Sequence, residues 1–372
     1  MRVVGMDVHV HNSFLCVTDP DGQLLKRGRV GNTLGQIAEF LGALPGGDQP
    51  LRVVLESTTN SRAIQRMMLD YGKGAGVEVQ AQVLDARKLR VIAESVSKCD
   101  KLDAAVLNEL ARSNLKLPAC YIPDDEMFAL REHLRARSDL VRMRTMLKNR
   151  VHSILHRRGI LNPLKDLFTR DGRQWLGEMK LDEAGRLILD GYLDTLDQLT
   201  QTIDKSTAAL TTLSRTQRWC KPVALLRTMP GIGPITSLTI LAELGDFNRF
   251  KSRASVSNYA GIVPVIRKSN EKSFSGHITH RGPAHLRSVL VEAAWTASGR
   301  VPQYGAIYSR LSAKRGKQVA IVAVARRILE DAWTMLKNDE VFRLMTVKSE
   351  LTDVCIGDSS TQVGVANPND AG

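Results

Sequence analysis

The sequence predicts an α/β domain at the N-terminal end of the chain, followed by a longer part that is mainly helical. Up to about residue 85, short apolar segments alternate with helical patterns and turn residues. From Asp125 onwards, apolar residues recur at three- and four-residue steps, which is the period of an amphipathic helix. With 372 residues, the chain is long enough for two or three domains with separate hydrophobic cores.

The N-terminal part has a recognisable order of elements. Strands are predicted over 2–8, 13–18, 24–30, 51–55 and 77–84, with helices after Thr33 and around Met67 and a helical stretch over 85–117. Thr33 is suited to cap the first helix. Three strands, then helix, strand, helix, strand and helix is the order of a ribonuclease-H-like fold. We therefore expect such a domain over residues 1–120.

The rest of the sequence predicts two helical units and a tail. Residues 125–215 predict two long amphipathic helices, which form either a coiled-coil arm or a plain layer of packed helices. In the first helix the predicted apolar stripe includes Met143, and in the second it includes Leu187. A mainly helical unit follows over 220–340. The polar segment 348–372 is expected to be disordered.

The charge of the chain indicates a polyanionic partner. The formal net charge is +13 at pH 7, and nine Lys and Arg residues lie between Arg131 and Arg158 against only two acidic residues. We expect the basic side chains of this first long helix to face outward, free to meet phosphate. The candidates for nucleic-acid contact there are Arg135, Arg142, Lys148 and Arg150.

Four carboxylates form a candidate metal site. Asp7 and Glu56 lie at the ends of two predicted strands that are adjacent in a ribonuclease-H-like sheet, and Asp100 and Asp103 share one helix face. If all four converge, their mutual repulsion requires a bound cation. Mg²⁺ is the hard, oxygen-preferring choice, with Mn²⁺ as a substitute. Two such ions can hold the attacking and leaving oxygens of a phosphodiester.

Two glycine-containing segments are further candidates. Gly231 and Gly233 belong to a Pro-Gly-Ile-Gly turn between helices, which is typical of a helix-hairpin-helix that contacts DNA phosphates, or else of a tight turn that needs positive φ. The second segment is a basic loop in which cations surround Ser269 and can stabilise charge on a phosphate. Its cations are Arg267, Lys268, Lys272 and Arg281. His277 and His280 are possible proton carriers.

These motifs together resemble one family of recombinases. The segments Gly5-Met6-Asp7, Leu55-Glu56-Ser57, Asp100-Lys101-Leu102-Asp103, Pro230-Gly231-Ile232-Gly233 and Tyr259-Ala260-Gly261, followed by Ser269 and His280-Arg281-Gly282, are similar to those of the DEDD transposases of the insertion sequence 110 family. Relatives of that family include the Piv-type DNA invertases. The resemblance covers roughly residues 1–340.

The resemblance implies a mechanism and partners. It implies a Holliday-junction-resolvase-like domain in which Asp7, Glu56, Asp100 and Asp103 bind Mg²⁺, and a C-terminal transposase domain in which Ser269 becomes joined to DNA. It also implies a structured bridge RNA that pairs with donor and target DNA, and dimers or tetramers in which one subunit's carboxylates meet another's serine. Ser269 is followed by Asn270 and Glu271 where the family commonly has glycines, so Ser273 and Ser275 remain alternative nucleophiles.

We therefore predict an insertion-sequence transposase. Two other hypotheses stay open: a junction-resolving nuclease that uses water as its nucleophile, and a non-catalytic nucleic-acid-binding protein.

No apolar run reaches the roughly 20 residues that cross a bilayer, and the first residues lack the apolar core of a signal peptide. We expect a cytoplasmic protein with no membrane partner.

Overall fold

A computed structural model describes residues 1–45, 49–89, 103–113, 115–269 and 272–343, with backbone alone for 266–269 and 272–275. The chain divides into two compact units, Met1–Asp124 and Asp125–Gly372. The expected tail over 348–372 and the candidate Asp100 lie outside the described residues. Within the described ranges, no helix is both long and apolar enough to cross a membrane.

The first unit is built on a five-stranded mixed sheet. Its elements are β1 (Arg2–Val8), β2 (Asn12–Thr18), β3 (Leu24–Gly31), α1 (Leu34–Gly42), β4 (Leu51–Glu56), α2 (Ser61–Ala75), β5 (Val79–Leu84) and α3 (Ala104–Arg112). The strand order is β3-β2-β1-β4-β5. Strands β1, β2 and β3 pair antiparallel, whereas β1, β4 and β5 pair parallel. This arrangement is consistent with the predicted ribonuclease-H-like fold.

Helices cover both faces of this sheet. Side chains of α1 and α2, such as Ile37 and Met68, pack with Met6 and Leu55 in one hydrophobic cluster. Side chains of α3 form a second cluster on the other face, with Val3 and Val54. Alternate strand residues therefore face different helices, as the two-residue period of a strand requires.

Two details of the first unit compare directly with the sequence prediction. Thr33 does cap α1, because its side chain accepts a hydrogen bond from the backbone N–H of Gln36. The prediction that the helical stretch continues to Leu117 is wrong, since α3 ends at Arg112. The chain after α3 runs back beside β5, where the N–H of Cys120 donates to the carbonyl of Val83 at 2.7 Å. That backbone pairing replaces the helical one.

The second unit is mainly helical. Its elements are α4 (Asp125–Arg157), α5 (Arg170–Glu178), α6 (Glu183–Leu213), α7 (Gln217–Arg227), α8 (Pro234–Leu244), α9 (Arg253–Ala260), β6 (Pro264–Ser269), β7 (Lys272–Ile278), α10 (Ala284–Arg300), α11 (Pro302–Arg315) and α12 (Lys317–Asn338). Strands β6 and β7 form a two-stranded antiparallel hairpin. The largest hydrophobic cluster contains side chains from every helix between α7 and α12. Side chains from the first turns of α4 and the last turn of α6 complete it.

The long helices α4 and α6 lie side by side and antiparallel. His133 near the start of α4 contacts Ser206 near the end of α6, and Arg158 just after α4 donates to Asp182 just before α6. A separate hydrophobic cluster closes the far end of the pair, where α5 also packs. Gly159, at φ 69°, follows the end of α4, as the sequence predicts for its C-cap.

The apolar stripes of these helices are only partly buried. In α6 the buried Leu and Ile residues recur at seven-residue steps, which is the spacing of a coiled-coil seam: Leu189, Leu196, Ile203 and Leu210. In α4 no described residue between Leu134 and Val151 is buried. Met143 and Leu187, which the sequence places on the predicted apolar stripes, are not buried, because their side chains are 49% and 75% exposed. Each lies off the line along which the two helices touch.

Candidate active site

Asp7 and Glu56 lie side by side at one edge of the first sheet. Strands β1 and β4 run parallel, and Met6 is the register partner of Leu55. One residue further along each strand come Asp7 and Glu56. Neighbouring strands are about 4.8 Å apart. Met6 and Leu55 share the face that packs on α1 and α2, so Asp7 and Glu56 share the opposite face, on the side of α3.

Asp103 reaches the same edge because α3 begins directly over β1. A Cβ on Gly5 would lie 2.1 Å from the carbonyl oxygen of Ala104 and 2.6 Å from the backbone nitrogen of Asn108. Gly5 and Asp7 point to the same face, two residues apart. The absence of a side chain at Gly5 therefore lets the first turn of α3 settle next to Asp7. Asp103, the N-cap of that helix, comes with it.

The carboxylate of Asp103 has a structural task as well. Its Oδ1 accepts hydrogen bonds from the backbone N–H groups of Ala105 and Val106, both at 2.9 Å. Both of these hydrogen bonds end on Oδ1, and they fix the orientation of the carboxylate at the helix start. Asp7 is 30% exposed, and its Oδ2 lies 3.4 Å from Nε2 of His9.

Asn108 anchors α3 to the sheet, a role that sequence reasoning missed. Its side chain is 2% exposed. The amide nitrogen donates to the carbonyls of Val3 and Cys16 at 2.8 and 2.9 Å, and the amide oxygen accepts from the hydroxyl of Thr18 at 3.0 Å. A polar residue on the apolar face of the helix is the signal that could have found it. Asn108 thus positions Asp103 through the helix between them.

The carboxylates suit a hard cation, although the ligand set is incomplete within the described residues. There, no group of three or more His, Cys, Asp or Glu side chains is close enough to hold a metal ion. Asp7, Glu56 and Asp103 come to one sheet edge, and carboxylate oxygens are the donors that Mg²⁺ and Mn²⁺ prefer. The fourth predicted ligand, Asp100, lies outside the described range. Residues of the required chemistry are therefore present for a divalent cation.

Ser269 is the last residue of β6, at the end of the β6–β7 hairpin. It is the register partner of Lys272, and Lys268 is the partner of Ser273. Ser275 pairs further along, with Ile266. The predicted nucleophile is therefore the serine closest to the hairpin end, and Ser273 and Ser275 lie progressively nearer its base. Arg267 also belongs to β6.

Two glycine-containing segments pack closely against each other at the base of this hairpin. A Cβ on Gly261 would lie 1.8 Å from the carbonyl oxygen of Arg281, and one on Gly282 would lie 1.9 Å from that of Tyr259. Both glycines have positive φ, at 66° and 79°. The two motifs that sequence analysis singled out on either side of the hairpin therefore pack backbone against backbone.

Arg287 fastens these two segments together and was also missed from sequence. Its guanidinium donates to the carbonyls of Ala260, Arg281 and Gly282 at 3.0 to 3.1 Å. Burial lowers the pKa of Arg287. The side chain of Arg281 itself is exposed, so it remains a candidate for phosphate contact.

Arg135 pairs with a buried carboxylate, which corrects the expectation that it is free to meet phosphate, although its own side chain is 53% exposed. Its guanidinium donates to both carboxylate oxygens of Glu243, at 3.0 and 2.9 Å, and Glu243 is 2% exposed. Nδ1 of His285 lies 3.9 Å from the same carboxylate. Arg131 and Tyr259 donate to the backbone carbonyls of Ala242 and Glu243. The cluster ties α4 to α8, because a buried carboxylate must be neutralised.

Of the other basic residues predicted on α4, Arg142 and Arg150 are exposed and Lys148 is half-buried. Arg142 forms an exposed pair with Asp139, at 3.1 Å and with side chains 79% and 56% exposed. The Nζ of Lys148 lies 4.5 Å above the ring of Phe168. Arg150 is exposed. An exposed i,i+3 pair is weak and readily exchanged for a phosphate contact, so these three side chains can still reach nucleic acid.

The Pro-Gly-Ile-Gly turn is packed inside the second unit. Gly231 has φ 90°, and a Cβ there would lie 2.7 Å from the carbonyl oxygen of Ala293 in α10. Ile232 is buried. Gly233 is the N-cap of α8 with φ −96°, so it needs no positive φ. The close approach to α10 and the positive φ explain why residue 231 is a glycine. This agrees with the second interpretation of the motif, a tight turn that needs positive φ.

Comparison with known proteins shows that the chain is similar to transposases. Residues 4–158 match a family model described as a transposase, of the IS110 DEDD type, and residues 223–309 match one described as the transposase IS116/IS110/IS902 family. The chain is 29% identical over 199 residues to the putative transposase y4qE of Sinorhizobium fredii, covering 54% of this chain and 48% of that protein. It is 22% identical over 358 residues to the transposase for insertion sequence element IS1111A of Coxiella burnetii, covering 92% of both.

A third relative extends the comparison to DNA inversion. The chain is 29% identical over 187 residues to the pilin gene-inverting protein of Moraxella bovis, covering 46% of this chain and 54% of that protein. The chain thus spans about half the length of two of these relatives and nearly all of the Coxiella burnetii transposase. One family model matches residues that include the N-terminal sheet, and the other matches residues of the C-terminal helices. The chain therefore belongs to the IS110 family of insertion-sequence transposases.

Proposed function

We propose that this transposase cuts and rejoins DNA with Ser269 as nucleophile and with Asp7, Glu56, Asp100 and Asp103 as a divalent-cation site. The observation that carries the proposal is the placement of Asp7, Glu56 and the N-cap Asp103 at one edge of the first sheet. A divalent cation would neutralise the negative charge that these three carboxylates bring to one edge of the sheet.

Asp7, Glu56, Asp100 and Asp103 would hold the divalent cation. Mg²⁺ or Mn²⁺, when bound, neutralises charge on the phosphate and lowers the barrier to displacement at phosphorus. Asp103 holds its orientation through the cap of α3, and Asn108 keeps that helix on the sheet. The His9 side chain beside Asp7 is placed to accept or return a proton at the edge of the site.

In the proposed chemical step the hydroxyl oxygen of Ser269 attacks phosphorus. The serine Oγ–P bond forms as one P–O ester bond of the DNA backbone breaks, the hydroxyl proton passes to a base or water, and the departing sugar oxygen takes up a proton. The phosphoserine ester keeps the bond energy for rejoining, and the reverse displacement by another sugar hydroxyl restores the serine. The hairpin that carries Ser269 also carries Arg267, Lys268 and Lys272, whose charges favour a phosphate at its end.

The nucleic-acid partners are donor and target DNA and a structured guide (bridge) RNA. The support is the net charge of +13 and the accessible cations of α4, namely Arg142, Lys148 and Arg150. For the Pro-Gly-Ile-Gly turn we propose a further backbone contact at Gly233, where a Cβ would meet nothing within 4 Å, because Gly231 is packed on α10. Arg281 is a phosphate contact at the base of the hairpin.

Subunits assemble through a coiled-coil arm made of α4 and α6, within residues 125–215. The seven-residue spacing of buried positions in α6 and the half-exposed middle of α4 support this proposal. In the dimer or tetramer, the carboxylates of one subunit act together with Ser269 of another. The corresponding domain scheme is a catalytic domain over 1–120, the arm, and a transposase domain over 220–340.

Trapping of covalent protein–DNA adducts tests the proposal. The purified protein, with its co-purifying nucleic acid, is incubated with Mg²⁺ and labelled element-end DNA, then denatured. We expect an adduct with the wild type and with Ser273→Ala and Ser275→Ala, and none with Ser269→Ala or Asp103→Ala. An unchanged adduct in Ser269→Ala would show that the nucleophile is misassigned.

The same experiment separates the competing hypotheses. A nuclease that uses water gives cut DNA with free ends and no adduct in the wild type. A non-catalytic binding protein gives no cut DNA, and its salt-sensitive binding is indifferent to Mg²⁺ and to Asp7→Ala. Sequencing of the co-purified nucleic acid tests the guide RNA, which predicts a single defined RNA species.

A further inference from the structure

An aromatic side chain is exposed beside the carboxylates. Phe14 lies on β2, which has a strand neighbour on each side, yet 40% of its side chain is exposed. A large apolar side chain on an inner strand is normally covered. Here α3 covers β1 but does not extend over β3, so this part of the sheet face is left open.

The strand register places Phe14 directly next to Asp7. The two residues are partners across the β1–β2 pair, and Phe14 is in turn the partner of Arg29 across the β2–β3 pair. Side chains of directly paired residues point to the same face, with Cβ atoms about 5 Å apart. Asp7, Phe14 and Arg29 therefore form a row across three strands. Two residues along β2, Cys16 pairs with Arg27 in the same way.

Phe14 is part of a groove that leads away from the carboxylates. The groove has a volume of about 510 Å³. Asp103 lies at one end, and Arg112 lies at the other, where its guanidinium donates to the carbonyl of Asp21. The start of α3 forms one wall, and Arg27 on β3 lies in the opposite one. We call this cleft the Phe14 groove.

The charges of the groove suit a strand whose phosphates face β3. Arg27 lines the groove, and Arg29 lies outside the lining, beside Phe14 in the strand register. Both are exposed, and neither has an ion-pair partner among the described residues. The carboxylates of the lining, Asp103 and Glu109, both belong to the α3 side. A ligand with negative charge on one side and a flat apolar group in the middle therefore matches the groove.

We propose that the Phe14 groove binds an unpaired segment of a nucleic-acid strand, with one base stacked on Phe14 and the phosphates beside it facing Arg27 and Arg29. Aromatic side chains stack on any base, and cations along the groove follow the backbone. The adjoining phosphate then lies at Asp7 and Asp103. This inference rests on the proposed function, in which those carboxylates act at the phosphate that is cut.

The position of Phe14 makes a direct optical test available. In Phe14→Trp, a base that stacks on the indole quenches its fluorescence. The full-length protein is titrated in EDTA with an unlabelled single-stranded oligothymidine and, separately, with a hairpin duplex of equal length. We expect saturable quenching beyond that of the wild type with the single strand. Absence of extra quenching while the oligonucleotide binds would overturn the proposal, as would equal quenching by the duplex.

Substitutions at the same position test the energetics. Loss of one base–aromatic stack weakens binding by roughly five-fold to 150-fold. We therefore expect Phe14→Leu to lower photocrosslinking of an iodouracil-substituted single strand to β2 by a factor in this range, and Phe14→Tyr to retain it. Leu69→Ala, at a 38% exposed apolar residue of α2 on the other side of the sheet, is the matched control. Equal crosslinking in Phe14→Leu and the wild type would contradict the stack.

The proposed groove and the proposed function can be disproved separately. If the wild type forms the Ser269-dependent adduct and Phe14→Leu forms it at the same rate from limiting DNA, the groove is wrong and the proposed function stands. If Phe14→Trp is quenched by the single strand but no adduct or cut DNA appears in the wild type, the groove binds nucleic acid and the proposed function is wrong.

Discussion

Gly5 of the central strand and Ala104 of α3 approach so closely that a Cβ on Gly5 would lie 2.1 Å from the Ala104 carbonyl oxygen. This contact sets where α3 begins and therefore where Asp103 lies relative to Asp7. The obstructing atoms belong to the backbone, so they cannot turn aside as a flexible side chain can.

Gly5→Ala is expected to destabilise the first unit by about 2 kcal/mol and to lower adduct formation at least ten-fold. The added methyl group overpacks the interface and pushes the start of α3 off the sheet. Urea unfolding and the adduct assay measure the two effects. Gly74→Ala is the control, since a Cβ at Gly74 in α2 meets nothing within 4 Å; it should be neutral or slightly stabilising. Wild-type activity in Gly5→Ala would disprove the link between this contact and the site.

Asn108→Leu is expected to cost about 3 kcal/mol, because it leaves the carbonyls of Val3 and Cys16 and the hydroxyl of Thr18 without their buried partner. Thr18→Val removes one of these bonds and should cost about 1 kcal/mol. If Asn108 positions Asp103, raising the Mg²⁺ concentration should partly restore the activity of Asn108→Leu. It should not restore that of Asp103→Ala. Identical Mg²⁺ dependence of wild type and Asn108→Leu would leave Asn108 with a role in stability alone.

Arg135→Ala and Arg142→Ala should behave differently although both remove an arginine from α4. Arg135→Ala removes both guanidinium hydrogen bonds to the buried Glu243 carboxylate and should destabilise the second unit by about 2 kcal/mol. Arg142→Ala removes an exposed pair and should change stability by less than about 0.5 kcal/mol. Arg142→Ala should instead reduce the slope of log affinity for nucleic acid against log salt by about one. Equal stabilities of the two variants would show that the Glu243 pair contributes little.

The stability of the second unit should fall in acid because of Glu243. Burial raises the pKa of this carboxyl, but its contacts with His285 and Arg135 outweigh burial and hold the pKa below its ordinary value of 4.5. A lowered folded-state pKa stabilises the protein above the unfolded-state value, and this contribution is lost as pH falls through the folded-state pKa. Unfolding of wild type and Glu243→Gln between pH 7 and 3 measures it. The advantage of the wild type should shrink below about pH 4.5, and a constant difference would contradict the pKa direction.

The sequence by itself determined the local elements and the kinds of chemistry available. Short apolar segments bounded by turn residues indicated the strands of the first unit, because helices cover both faces of the sheet and the central strands are buried on both sides. The three-four spacing after Asp125 fixed the long helices, and Thr33 fixed the start of α1. The position of Asp7 and Glu56 at the ends of two predicted strands indicated that their carboxylates lie together, since the ends of adjacent parallel strands lie side by side.

Only the tertiary structure decided which side chains are free and which are engaged. Nothing near Arg135 in the sequence distinguishes it from Arg142, because its partner Glu243 comes from another helix far along the chain. The roles of Gly5, Asn108 and Arg287 depend likewise on backbone groups brought close by packing. Phe14 gains its place beside Asp7 only through the register of β1 and β2. Such contacts follow from the distances between elements, which no local pattern of residues encodes.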